Sequence, residues 1–342
     1  SCAVLDWYCA LLDLTGYQCN RFGSCFSDQE SIGAHSLMNF RQIARAIKLQ
    51  LVKLVKQTKS SSGRQVIQRV GFGALILTSM ITVVPIIAVV VYVVLQGIPA
   101  ISWEFITGFP HDGMREGGIL PAIVGTFYLT LGTALFAVPL GIGAAIYLAE
   151  YAAENRWTRI IRIAIINLAG IPSVVYGLFG LGIFVLFLGL GTSILAGSLT
   201  LAIMTLPVII STTEEALRAV PQAFRVISIS LGATRWQTIR KIVLPEALPG
   251  MLTGVILGLE RAAGETAPIL FTVAAFFLPQ LPRSPLDATM ALPYHLFVIS
   301  TQVPGMPIKI QYGTALVLIA FVLGMNIIAT TIRSRARAKR QW

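Results

Sequence analysis

Long apolar stretches broken by short polar ones set the pattern of this chain. Windows without Asp, Glu, Lys or Arg cover residues 70–96, 119–149, 163–213 and 310–332, and a further apolar window, 247–278, is interrupted by charge. A helix crossing a bilayer needs about 20 predominantly apolar residues, so each window is long enough to span. Window 163–213 is too long for one helix, and Gly189-Leu190-Gly191-Thr192-Ser193 supplies a turn that splits it in two. The expected architecture is therefore all-α, with six transmembrane helices.

Lys and Arg fix the orientation, because cytoplasmic loops carry the excess of positive charge. Eight of them lie between residues 38 and 69. Arg156, Arg159 and Arg162 follow the second span, and Arg218, Arg225, Arg235, Arg240 and Lys241 follow the fourth. Arg333, Arg335, Arg337, Lys339 and Arg340 make up the tail, whereas the opposite side holds Arg115, Arg283 and Lys309. Both termini are expected in the cytoplasm. The organisation read from this is a basic cytoplasmic segment at 38–69, a transmembrane domain at 70–332 with a large cytoplasmic loop at 213–246, and a basic tail at 333–342. Within the basic segment Ile43, Ile47, Leu51, Leu54 and Val55 recur at helical spacing, as expected of a helix lying on the lipid of the inner leaflet. A purely topogenic cluster of positive charge would look the same.

Composition agrees with lipid as the solvent. Of 342 residues 55% are hydrophobic and 12% charged, with a mean hydropathy of +0.77, and a soluble domain would need a far more charged shell. A formal net charge of +11 does not point to nucleic acid, since no basic face is interleaved with stacking aromatics. Cys2, Cys9, Cys19 and Cys25 match no zinc spacing. The stretch 1–37 also lacks the pattern of a signal peptide, and Met38 precedes the basic segment, so 1–37 is expected to be an extension called from an upstream start. His35, His111 and His295 are scattered, and the last two fall in external loops as solvated side chains; no metal site is expected. No Gly-x-x-x-x-Gly-Lys-Ser/Thr loop occurs, so this chain is expected to bind no nucleotide itself.

The loop 213–246 is the richest in local signals. Pro221 suits the first turn of a short helix, Gly232 a helix stop, and Thr234 the cap of a second helix. That second helix would carry Trp236, Ile239, Ile242 and Val243 on one side and end at Leu244-Pro245. A basic loop that merely satisfies orientation explains the charge but not this register of stop, cap and Leu-Pro. Ser228-Ile229-Ser230-Leu231-Gly232-Ala233-Thr234 followed by Ile242-Val243-Leu244-Pro245 resembles the cytoplasmic signature of ABC-importer permeases. The resemblance implies a type I permease fold and a coupling helix that docks on an ATPase subunit, with Pro221, Arg225, Ser228, Gly232, Ala233, Thr234, Trp236, Ile242, Leu244 and Pro245 carrying the coupling. One departure is visible: Val226-Ile227-Ser228 stands where the family has Glu-Ala-Ala.

The fifth window contains Gly258-Leu259-Glu260-Arg261-Ala262-Ala263-Gly264-Glu265-Thr266-Ala267-Pro268. Ionisable residues inside a membrane are costly and mark a pathway or a partner. Arg261 and Glu265 stand four apart and can pair, while Glu260 points about 100° away toward another neighbour. Arg261 offers a planar fork to two oxyanion oxygens; alternatively the pair only locks helices together. Thr266 and Thr272 either line the path or pack helices. Gly170-Ile171-Pro172-Ser173 and Leu206-Pro207 would loosen the backbone of spans three and four.

The Arg-x-x-Gly-Glu-Thr-Ala-Pro run is similar to that of phosphate permeases of the PstA type, a resemblance covering about residues 70–340. It implies a multi-pass subunit of the bacterial inner membrane that forms the phosphate path. Its implied partners are a second permease of the PstC type, a PstB-type ATPase dimer using ATP and Mg²⁺, and a periplasmic PstS-type phosphate-binding protein. The alternatives are a permease for sulfate or molybdate, and an ion-coupled transporter with Glu260 and Glu265 as proton sites.

Overall fold

A computed structural model describes residues 61–338. The stretch 1–37, with its cysteines and His35, the amphipathic positions 43–55 and the last four residues lie outside the described residues. The chain divides into two compact units, Ser1–Val84 and Pro85–Trp342. The described part of the first is the beginning of helix α1 (Ser61–Gly97), where Phe72, Leu75 and Ile81 are all exposed. An apolar helix with no buried side is stable only where hydrocarbon or another apolar surface replaces water.

The second unit is built around one buried span. Helix α3 (Leu120–Ile146) runs on through a π-turn to Tyr151. Helices α4 (Arg156–Ala169) and α5 (Ser173–Gly180, continued as a π-turn to Phe187) follow, then α6 (Ile194–Arg218). Helix α6 packs against α3 on one side and against α9 (Leu244–Gly264) on the other. Lipid offers helices no hydrophobic reason to associate, so small residues that admit close backbone contact decide which faces meet. At Gly254 on α9 a Cβ would run into the Thr212 hydroxyl of α6. The last span is α12 (Ile308–Ala338).

Five described helices are long and apolar enough to cross a membrane, and a sixth span exists if the bent pair α4 and α5 is taken as one. The six-span expectation therefore holds, with corrections at spans three and five. The axis turns by 102° between α4 and α5, so the third span is not a straight rod from residue 163. Pro172 has no N–H to give the ladder and disfavours helical geometry in the residue before it, which ends α4 at Ala169. Pro207, by contrast, sits within an α6 that continues to Arg218. The helix of span five begins in the knob at Arg235 and ends at Gly264, so the span ends earlier than the residue 278 that hydropathy suggested. Beyond Gly264 the backbone is extended at Glu265 (ψ 138°), and only the short α10 (Ala267–Thr272) follows.

At the end of the bundle remote from the arginine-rich loops, a cap closes over the helices. It comprises α2 (Trp103–Thr107), a two-stranded antiparallel ribbon (Pro110–His111 with Glu116–Gly117) and α11 (Leu292–Thr301). Thr126 on α3 accepts a hydrogen bond from the Leu292 N–H at 2.8 Å, and Arg115 donates to the Pro304 carbonyl at 2.7 Å. His295 belongs to this cap and is 2% exposed, which corrects its expected place in a solvated loop. Helix α11 packs it against α3 and α12, and its Nδ1 has no hydrogen-bond partner among the described residues. Burial without a countercharge holds its pKa down at about 4.

Candidate functional site

The loop 213–246 folds into the expected pair of helices, α7 (Gln222–Ser230) and α8 (Arg235–Thr238). Pro221 stands one residue outside α7, at its cap position. Gly232 adopts φ +85°, a backbone that a Cβ would strain. Around it the Ala233 N–H bonds the Ser228 carbonyl and the Gly232 N–H bonds the Ile229 carbonyl, the pair of bonds that closes a Schellman stop. Thr234 Oγ1 accepts from the Gln237 N–H at 3.2 Å while Gln237 Oε1 accepts from the Thr234 N–H at 2.9 Å, a complete capping box. The two helices are pinned by a buried hydroxyl pair, Ser228 to Thr238, at 2.8 Å.

Two expectations about this knob are corrected. Trp236, Ile239, Ile242 and Val243 do not share one packed side: Ile239 and Val243 are buried, Trp236 is half exposed and Ile242 lies between. Nor does Leu244-Pro245 end the second helix. A π-turn at Ile239–Val243 joins α8 to α9 without interruption, and Pro245 lies directly beyond it inside the continuous helix. One continuous helix thus runs from the knob at Arg235 to Gly264, about 45 Å by helical rise.

Glu150, which sequence reading passed over, holds the knob to the bundle through the expected coupling residue Arg225. Glu150, at the end of α3's π-turn, is buried. Its carboxylate accepts from Arg225 Nη2 at 2.6 Å and Nε at 3.2 Å, and Arg225 also donates to the carbonyls of Val220 (2.7 Å) and Leu217 (2.8 Å) at the end of α6. Arg235 donates to the Glu150 carbonyl and lies over the Tyr151 ring, 5.1 Å from its centroid. Nearby, Glu214 on α6 accepts from Arg162 (2.8 Å) and Arg218 (3.0 Å), and Arg162 also reaches the Leu148 carbonyl at 2.9 Å. Glu150 closes the uncharged window 119–149, and nothing in its neighbourhood signals a partner 75 residues on.

At the far end of that helix, Arg261 and Glu265 meet as expected, Nε to Oε1 at 3.3 Å. Glu265 does so from the extended residue just past α9. Glu260 faces elsewhere, into a groove of about 320 Å³ between α3, α9 and α12 lined by Thr130, Leu259, Met325 and Ile328. Thr266 caps α10 without a side-chain bond, while Thr272 is buried and bonds the Pro268 carbonyl, a packing role.

The family described as binding-protein-dependent transport system inner membrane component matches residues 137–339, a region containing the knob, its anchors and the Arg261 pair. The chain belongs to that family. It is thus a non-catalytic inner-membrane permease subunit of an ABC importer. Among its relatives, the probable ABC transporter permease protein YqgI of Bacillus subtilis (strain 168) is 34% identical over 280 residues, 78% of this chain and 95% of the relative. The phosphate transport system permease protein PstA of Mycobacterium leprae (strain TN) is 34% identical over 259 residues, 74% of this chain and 84% of the relative. Among solved structures, a bacterial ABC transporter involved in alginate import gives a TM-score of 0.55 at 16% identity, over 80% of this permease and 99% of that chain. The MetNI methionine ABC transporter gives 0.53 at 18% identity, over 64% and 95%. At such identities the likeness speaks for the fold alone, which is that of type I importer permeases.

Proposed function

We propose that this permease forms half of the transmembrane pathway of an ATP-driven phosphate importer. Its other half is a second permease of the PstC type; a PstB-type ATPase dimer that consumes ATP with Mg²⁺ lies below, and a PstS-type phosphate-binding protein above. Relatives carrying the phosphate permease name PstA, at 32–36% identity, support the solute. The observation that carries the reading is the state of Arg261. Of its guanidinium nitrogens only Nε has a partner among the described residues, and at 3.3 Å that contact is long for a charge-assisted bond. Nη1 and Nη2 keep their donors for an oxyanion, and Glu265 keeps the cation in place until one arrives.

The knob is the coupling element. Its exposed apolar surface, Val226, Ile227, Ile229, Leu231 and Trp236, is the face offered to the ATPase, with Val226 in place of the family's glutamate making that contact apolar rather than ionic. A push on the knob has two routes into the bundle. The continuous helix from Arg235 carries it to Arg261, and Arg225 with Glu150 carries it to the ends of α6 and α3. The pathway alternates its opening as these helices tilt together.

Uptake by membranes containing the whole transporter tests both halves of the reading. ATP-driven phosphate uptake is expected to be sensitive to vanadate, insensitive to a protonophore, and poorly competed by sulfate or molybdate. Equal competition by either would replace phosphate as the solute. Trp236→Glu is expected to abolish uptake with the subunit still inserted; survival of uptake would remove the knob from coupling.

A further inference from the structure

Helix α4 carries neither the exposed face of the knob nor the Arg261 pair, and by itself it is too short to cross a membrane. Its 14 residues make about 21 Å of helix, short of the hydrocarbon thickness. It stands at 102° to the segment 173–187 that follows, so if that segment runs through the bilayer, α4 runs along its surface. Depth is fixed too: Arg162, on the inward side with Thr158 and Ile165, is bonded to Glu214 and to the Leu148 carbonyl, both near the basic ends of their spans.

The outward side is unlike that of a helix in water. Trp157 is 74% exposed, and Ile160, Ile161, Ile163 and Ile166 are exposed by about half or more. On an ideal helix Trp157, Ile161 and Ala164 share one flank about 60° wide with Ile160 beside it, Arg159 lies across from that flank and Arg156 to its side, and Ile163 and Ile166 stand among the two arginines; Leu168, in line with Trp157, packs against the core. Neither of those two arginines forms an ion pair among the described residues, in a chain where Arg162, Arg218 and Arg225 all do. A tryptophan at the boundary, an isoleucine surface and cations without partners at the basic face suit one occupant.

We propose that α4 is an interfacial helix seated in the cytoplasmic leaflet, with Trp157, Ile160 and Ile161 among the acyl chains and Arg156 and Arg159 on the phosphates of anionic lipid. It gives the third span a fixed pivot at the membrane surface, so the 102° turn at Gly170–Pro172 is held from both sides: by Arg162 to the bundle and by the arginine pair to lipid. This holds whichever solute the permease carries.

The test uses the assembled transporter in phosphatidylcholine vesicles that contain, at equal content, either brominated phosphatidylglycerol or brominated phosphatidylcholine. The emission belonging to Trp157 is the difference between the parent and Trp157→Phe. It is expected to be quenched by both lipids, and more strongly by the glycerol lipid. In Arg156→Gln/Arg159→Gln, with assembly verified by retained ATP hydrolysis, the excess quenching by the anionic lipid disappears while the rest remains. Equal quenching by the two lipids in the parent overturns the anionic assignment. No quenching by either overturns the interfacial placement and leaves a protein surface as the occupant.

Discussion

Two Arg–Glu pairs, one around a buried carboxylate and one around a partly exposed carboxylate, are built to opposite specifications. Arg225 is 13% exposed and Glu150 8%; their shortest contact is 2.6 Å, and the remaining donors of Arg225 close on the last carbonyls of α6. Arg261 is 34% exposed, Glu265 17%, their one contact is 3.3 Å, and Glu265 lies on extended backbone past a helix end. A saturated pair resists displacement because any rival must replace five hydrogen bonds at once. A pair with one long bond yields to a ligand that offers two good oxygens. The difference separates a joint that transmits force from a site that exchanges partners, although both read as the same two residue types.

The largest effect on the fold is expected from breaking the saturated pair. Arg225→Ala leaves the Glu150 carboxylate buried without a countercharge and strands the carbonyls of Leu217 and Val220. Removal of one partner of a buried pair costs about 3–5 kcal/mol. The thermal midpoint of the purified assembly should fall sharply and uptake should vanish; Arg225→Lys recovers little, since an ammonium cannot serve three acceptors on two helices at once. A midpoint within a degree or two of the parent would show that the knob is held by something other than this joint.

His295 in the cap is the limiting case, a buried ionisable side chain with no hydrogen-bond or charge partner among the described residues. Its folded pKa of about 4 stands below the ordinary 6.5, so the unfolded chain takes up a proton first as pH falls. Stability is unaffected above 6.5, declines from there to about 4 and levels off below; by pH 5.5 the loss amounts to roughly 1.4 kcal/mol. Thermal midpoints measured across that range should fall for the parent and stay flatter for His295→Phe. Equal slopes would mean that His295 is protonated in the folded permease and has found a partner.

How much of this was legible in the sequence depends on how local each signal is. Hydropathy located the spans because every backbone group in lipid must be satisfied within its own helix, which forces long uncharged runs. The stop at Gly232 and the cap at Thr234 were legible for the same reason, since both act within a few residues. A window average cannot register a 102° turn, but Gly170 and Pro172 marked the place where the backbone of the third span would loosen. Leu244-Pro245 was taken for an end because a π-turn that absorbs a proline leaves no compositional trace. Glu150 was out of reach: its partner lies 75 residues away, and only tertiary packing brings them together. His295 was misplaced by the same gap, its burial being decided by α3 and α12 rather than by its neighbours in the chain.

The smallest cost to the fold, and the sharpest test of the comparison, is expected at Arg261. Arg261→Lys keeps the charge near Glu265 and loses the fork; with both side chains partly exposed and the contact long, the change is worth at most about 1 kcal/mol of stability. The permease should therefore insert, assemble and hydrolyse ATP. Phosphate flux should nonetheless fall by about tenfold or more, because an ammonium meets the anion as a point charge and cannot hold two of its oxygens in one plane. Arg261→Gln removes the charge as well and should fall further. If Arg261→Gln carries phosphate at the parent's rate, the loose pair is a loose structural pair, and the path for the anion runs past other residues.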